Sequence, residues 1–152
     1  MTLDYDIPED HRVKHLEMIQ TVIARLGNNS FLVKGWAVTV AGVFFGFAVN
    51  KPDAGLALVS LLPTALFWLL DAYFLRTERL FRALHDRVRK PATAVEPFCM
   101  AATGPPFVKS VREGPNKAAA SRWKAFSSVT LLVLYGGLSL SALVVALAIS
   151  KS

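Results

Sequence analysis

Residues 67–82 read FWLLDAYFLRTERLFR. An apolar run is interrupted by one carboxylate, Asp71, and ends in a burst of arginines, Arg76, Arg79 and Arg82. Working outward, the apolar residues belong to a longer run, 54–75, AGLALVSLLPTALFWLLDAYFL. Two more such runs lie at 31–49, FLVKGWAVTVAGVFFGFAV, and 125–149, AFSSVTLLVLYGGLSLSALVVALAI. A helix needs about 20 predominantly apolar residues to cross roughly 30 Å of hydrocarbon, and each run is long enough. Three buried helices of a soluble domain would need a polar shell that 152 residues, 53% of them hydrophobic, cannot supply. The mean hydropathy of +0.42 agrees. The pattern predicts an all-α integral membrane protein with three transmembrane helices: a helical hairpin plus a third span, with a small cytoplasmic helical layer. The first run follows an acidic stretch, DYDIPED, rather than a short basic one, so it is expected to be a retained span and not a cleaved signal.

Lysines and arginines near span ends mark the cytoplasmic side. Segment 76–124 carries Arg76, Arg79, Arg82, Arg87, Arg89, Lys90, Lys109, Arg112, Lys117, Arg122 and Lys124. The loop 50–53, NKPD, has only Lys51, and the tail 150–152 only Lys151. The expected organisation is therefore a cytoplasmic segment 1–30, spans 31–49 and 54–75 joined by an external loop, a basic cytoplasmic helix and loop over 76–124, a third span 125–149 and an external tail. That places the chain in a bacterial inner membrane with its N-terminus cytoplasmic. Trp36, Trp68 and Trp123 then map near the cytoplasmic interface, as an aromatic belt would.

The same register explains Asp71. Lys34 lies just inside the cytoplasmic end of the first span and Asp71 just inside that of the second. At about 1.5 Å per residue both sit roughly 5–6 Å below the interface. Opposite charges at one depth on adjacent helices predict an ion pair that sets the hairpin register; the competing reading lets Lys34 snorkel to headgroups and leaves Asp71 hydrated. Gly35, Thr39, Gly42 and Gly46 recur on one helical face and include a GxxxG. Small residues let helix backbones approach closely where lipid supplies no hydrophobic drive. This face is expected to meet another helix, in the same chain or a second copy; Gly137 with Ser141, and Ala142 with Ala146, are weaker versions. Pro63 is expected to kink the second span.

Residues 6–26 read as an amphipathic helix capped by Asp6 with Glu9, its apolar stripe Val13, Leu16, Ile19, Ile23 and Leu26. LGNNS is expected to end it, with Asn28, Asn29 and Ser30 capping the first span. The second span is expected to run on to about Lys90, with stripe residues Phe74, Phe81, Leu84 and Val88 and an i,i+4 pair of Glu78 with Arg82. The two cytoplasmic helices should pack on each other, or the N-terminal stripe should face lipid or a partner. The proline-rich stretch from Pro91 to Lys124 reads as loop. The basic patch of Arg76, Arg79, Arg82, Arg87, Arg89 and Lys90 suits anionic lipid or a phosphate-bearing ligand such as a nucleotide; duplex nucleic acid is not expected.

Catalytic and metal signatures are missing. There is no GxSxG, HExxH or phosphate loop. His11 and His15 are spaced i,i+4, which can chelate a metal, but only His85 is available to join them and the default is packed or solvated rings. The single cysteine, Cys99, allows no intrachain disulfide and has no motif around it. No cofactor, metal or enzymatic activity is expected.

The segments NNSFLVKGWAVT, FWLLDAYFLRTERLFR, PFCM and LLVLYGG together resemble a family of small bacterial inner-membrane proteins over residues 12–149. The residues carrying the resemblance are Asn29, Ser30, Lys34, Gly35, Trp36, Phe67, Trp68, Asp71, Tyr73, Glu78 and Arg82. The chain is also similar to SLATT-type membrane effectors of bacterial defence, in which a helical hairpin precedes a charged cytoplasmic helix; those typically have two spans, and here a third follows. The resemblance implies a homo-oligomeric effector or channel-like subunit that perturbs the membrane when a cytoplasmic partner or anionic signal arrives, in anti-phage defence. The alternative is a non-conducting anchor or scaffold for a cytoplasmic complex. A conducting path would draw on Thr39, Ser60, Thr64, Ser128, Thr130, Ser139 and Ser141 from several copies.

Overall fold

A computed structural model describes residues 9–90, 96 and 98–151. The expected cap residue Asp6 and residues 91–95 and 97 of the proline-rich stretch lie outside them. The described residues form helices α1 (Glu9–Asn50), α2 (Ala54–Val59), α3 (Leu61–Arg89), α4 (Pro105–Glu113), α5 (Lys117–Ala120), α6 (Arg122–Phe126) and α7 (Val129–Lys151). Three stretches are long and apolar enough to cross a membrane: α1, α2 with α3, and α7. The protein is all-helical among its described residues, and its three apolar helices are compatible with a membrane location. It divides into two compact units, one of residues up to Asn28 with Leu75–Ser121, the other of Asn29–Phe74 with Arg122–Ser152.

The expected stop at LGNNS does not occur. α1 runs unbroken through Gly27, Asn28, Asn29 and Ser30. An interior glycine costs about 1 kcal/mol relative to alanine. Once a helix is nucleated, however, propagation and burial of its faces outweigh such local penalties. Ser30 caps nothing; its side chain is spent on a tertiary contact described below. At the other end, Lys51–Asp53 make the turn, and Asp53 starts α2 by accepting from the Gly55 amide at 2.7 Å.

The second apolar run, expected to kink at Pro63, is interrupted at Ser60, just before it. Pro63 has no amide hydrogen and its ring crowds the Val59 carbonyl, so the ladder fails there. Local hydroxyls absorb part of the loss: Ser60 Oγ donates to the Ala57 carbonyl at 2.6 Å, and Thr64 Oγ1 to the Ser60 carbonyl at 2.8 Å.

The third run is also shorter than expected. α6 ends at Phe126, Ser127 and Ser128 turn the chain, and α7 begins only at Val129. Both serines favour local hydrogen bonding over helix interior positions; Ser127 Oγ donates back to the Trp123 carbonyl at 2.8 Å.

In the unit built around the apolar helices, small side chains lie inside and large ones outside. Ala37, Ala41, Ala48, Ala57, Ala72, Ala142 and Ala146 are buried, whereas Phe47, Leu62, Leu66, Val133, Leu140 and Leu147 are exposed. A protein in water would invert this arrangement; it is the one expected where lipid is the solvent and close backbone approach supplies cohesion. Ala48, Ala57 and Ala146 gather in one cluster. Ser30 of α1 reaches Asp71 of α3, so α1 and the α2–α3 segment run antiparallel. Tyr135 also reaches Asp71, which sets α7 parallel to α1.

The second unit has an ordinary apolar core. Ile19 from α1 and Leu80, Ala83, Leu84 and Val88 from α3 pack with Ala102, Val111 and Ala120, so the N-terminal stripe packs on the α3 stripe. Val13, expected in that stripe, is exposed, and the buried position is taken by His15.

The proline-rich stretch read as loop contains α4, α5 and the start of α6. α4 starts at Pro105 and Pro106, whose fixed φ and missing amide hydrogens suit a first turn, and Phe107, Val108 and Val111 face the core. Before it, Phe98 adopts φ 60, a left-handed conformation that bulky residues avoid. Its ring is held near His11 and His15, at 5.7 and 6.0 Å between centroids.

Candidate functional site

Helix geometry places the main polar constellation. Ser30 and Lys34 are one turn apart on α1, so their side chains share a face. That face meets Asp71 of α3. Lys34 Nζ lies 2.7 Å from Asp71 Oδ2 and donates to Ser30 Oγ at 2.6 Å. Ser30 Oγ donates to Asp71 Oδ1. From α7, Tyr135 Oη donates to Asp71 Oδ2 at 3.2 Å. One carboxylate thereby receives donors from both other long helices.

The cluster is deeply placed. Asp71 and Tyr135 are 0% exposed and Ser30 is 8% exposed, while the Lys34 side chain keeps 23% of its surface. An uncompensated charge in such a place would be costly, so the ammonium neutralises the carboxylate while the hydroxyls occupy its other lone pairs. Among the described residues no buried side-chain nitrogen or oxygen lacks a partner. Aromatic packing closes one side. Trp68 stacks on Phe126 at 4.3 Å and on Tyr135 at 5.9 Å, and its indole Nε1 donates to the Phe126 carbonyl at 3.1 Å. The cluster is chemically a charge-neutral lock: every group is engaged, and none is presented as a nucleophile or open ligand.

Lys34 and Asp71 are the pair singled out by depth and charge. Ser30 and Tyr135 were missed. Ser30 was assigned to a cap, although its i−4 spacing from Lys34 was a usable signal. A tyrosine inside an apolar run needs a partner for its hydroxyl, which was the signal for Tyr135.

The glycine face lies elsewhere. Gly35, Gly42 and Gly46 have nothing in the chain within 4 Å of where a Cβ would stand. Thr39 is exposed, its hydroxyl donating to the Gly35 carbonyl at 3.0 Å. The α1 face that packs within the chain is that of Ala37, Ala41 and Ala48; at 100° per residue the glycines lie on the opposite side. Gly137 and Ser141 of α7 are likewise exposed, while Ala142 and Ala146 are buried.

The basic residues of α3 do not form one free patch. Arg76 Nε donates to the Ala120 carbonyl at 3.3 Å. Arg82 makes a two-pronged pair with Glu78 Oε1, at 3.0 and 2.6 Å. Arg87 donates to Ser110 Oγ at 2.9 Å and lies over the Phe107 ring at 4.7 Å. Arg89 and Lys90 are exposed, and Arg79 is half-buried. His15 Nε2 lies 3.0 Å from the Cys99 carbonyl, while His85 Nε2 lies 3.1 Å from Gln20 Nε2. Trp36 and Trp123 are 62% and 74% exposed, unlike the packed Trp68.

No protein-family model matches the chain, and neither a curated protein nor a solved structure shows detectable similarity to it.

Proposed function

We propose that the chain is one subunit of a homo-oligomeric membrane effector, channel-like in its assembled state. In this reading the Asn29–Phe74 and Arg122–Ser152 unit lies in the bacterial inner membrane, with the N-terminus and the basic unit cytoplasmic, as the lysine and arginine distribution favours. The observation that carries the proposal is the unpacked Gly35–Thr39–Gly42–Gly46 face, on the side of α1 opposite the alanines used within the chain. Small residues on a face of a lipid-embedded helix favour close contact with another helix. A second copy supplies one. The basic unit then receives a cytoplasmic partner or an anionic signal, and the assembly perturbs the membrane in the manner expected of a SLATT-type defence effector. No catalytic step or cofactor enters this reading.

The test is ion flux from liposomes holding the purified protein, with and without the product of a neighbouring gene, run beside chemical cross-linking. Oligomers that support triggered flux agree with the proposal. Flux from a strictly monomeric protein, or none from any oligomer under any trigger, refutes it. A second reading, a non-conducting membrane anchor for a cytoplasmic complex, draws support from the fully satisfied Ser30–Lys34–Asp71–Tyr135 lock, which favours a rigid bundle. Stable binding of a soluble partner without flux would select it.

A further inference from the structure

One face of α3 repeats at helical spacing, Arg79, Arg82, Ala83, Asp86 and Arg87, and Lys90 follows just past its end. The turn between α4 and α5 folds against it and leaves a groove with two adjoining lobes, both bordered by Ala83, Asp86, Pro115 and Asn116. The larger, about 320 Å³, carries Arg79 and Arg82. The smaller, about 190 Å³, carries Arg87 and Lys90.

We propose that this groove is a binding site for a phosphate group. Four cationic side chains line it, and the carboxylates of Asp86 and of Glu78, which pairs with Arg82, offset only part of that charge. Its floor is apolar, with Ala83 4% and Val111 1% exposed, so charges at its rim act beside a low-dielectric wall that strengthens their pull on an anion. Arginine forks suit phosphate oxygens, and two of the arginines are already oriented by the fold, Arg82 by Glu78 and Arg87 by Ser110 and Phe107. Preorganised donors lose little side-chain freedom on binding. Asn116 stands at the border shared by the lobes. The volume accommodates a diphosphate or a phosphate monoester head. The shared chemistry is a phosphate dianion, carried either by a soluble molecule or by a lipid headgroup.

This deepens the anionic-signal part of the proposed function, yet binding is measured apart from flux, so either can fail alone. The experiment is calorimetric titration of the full chain in neutral detergent with inorganic phosphate and with pyrophosphate. A parallel arm measures binding of labelled protein to nanodiscs with and without phosphatidic acid. Saturable pyrophosphate binding that competes with phosphatidic acid assigns a soluble ligand; saturation only on phosphatidic acid nanodiscs assigns a headgroup. Asp86→Asn should tighten binding about threefold, and the double variant Arg79→Gln with Lys90→Gln should weaken it about fivefold or more. The gain expected from Asp86→Asn cannot come from misfolding. No saturable binding in either arm, or binding that Asp86→Asn leaves unchanged or weakens, overturns the assignment.

Discussion

Replacing Lys34 with methionine and Asp71 with asparagine, singly and together, tests the lock most directly. Lys34→Met strips the paired ammonium from a carboxylate that is 0% exposed. Ser30 and Tyr135 still donate to it, but the charge is uncompensated. Breaking one side of a buried pair costs about 3–5 kcal/mol, and the partial exposure of this site argues for the lower end, about 3 kcal/mol. Asp71→Asn is milder. The amide oxygen still accepts a hydroxyl, and Lys34, 23% exposed, can extend its ammonium toward water, so the loss is about 1.5 kcal/mol. With both charges gone, neither is stranded, and the double variant should lose about 2.5 kcal/mol rather than the sum of its parts, a coupling of about 2 kcal/mol. Neutral hydrogen bonds between membrane helices couple by only ~0.6 kcal/mol on average, so a value well above that identifies the ionic component. The assay is reversible unfolding in mixed micelles by denaturing-detergent titration, followed by tryptophan fluorescence; Trp68 stacks on Tyr135 and reports on the site. Losses that add to within about 0.5 kcal/mol would refute the argument that the two side chains act as one unit.

Further expectations use the same preparation. Tyr135→Phe removes one donor to Asp71 while keeping the ring against Trp68, and should lower stability by about 1 kcal/mol, read from the same titration. A Cβ added at Gly46 meets no neighbouring segment of the chain within 4 Å, so Gly46→Leu should shift unfolding by less than about 0.5 kcal/mol while cross-linked oligomers disappear; oligomers that persist would remove the glycine face from the assembly. Ile19→Ala empties a fully buried position beside Leu80 and Leu84 and should cost about 2–4 kcal/mol, seen as early proteolysis of the basic unit, with Val13→Ala at an exposed position as the near-neutral control. His15→Ala leaves the Cys99 carbonyl without its imidazole partner and should speed maleimide labelling of the sole cysteine, a rate measurable by mass spectrometry.

The three apolar helices, and the equal depth of Lys34 and Asp71, were legible in the chain because hydropathy and rise per residue are local quantities. Helix ends were less so. LGNNS contains good caps, yet α1 continues through it, because propagation of a nucleated helix outweighs one glycine. Pro105–Pro106 looked like punctuation, but two prolines also open a helix well when an apolar face follows.

What the sequence determined by itself is an all-helical class, with three helices long and apolar enough to cross a membrane, and the charged residues inside those apolar runs that call for a partner. Which partners they find was decided only in three dimensions. Ser30 lies 41 positions from Asp71 and Tyr135 lies 64 from it, and no pattern of spacing reaches that far. The same holds for α1, whose alanines turn inward and whose glycines turn outward although both stripes obey one helical period. Periodicity defines a face; only packing of distant segments against it, where shape and charge must fit together, decides which face is used.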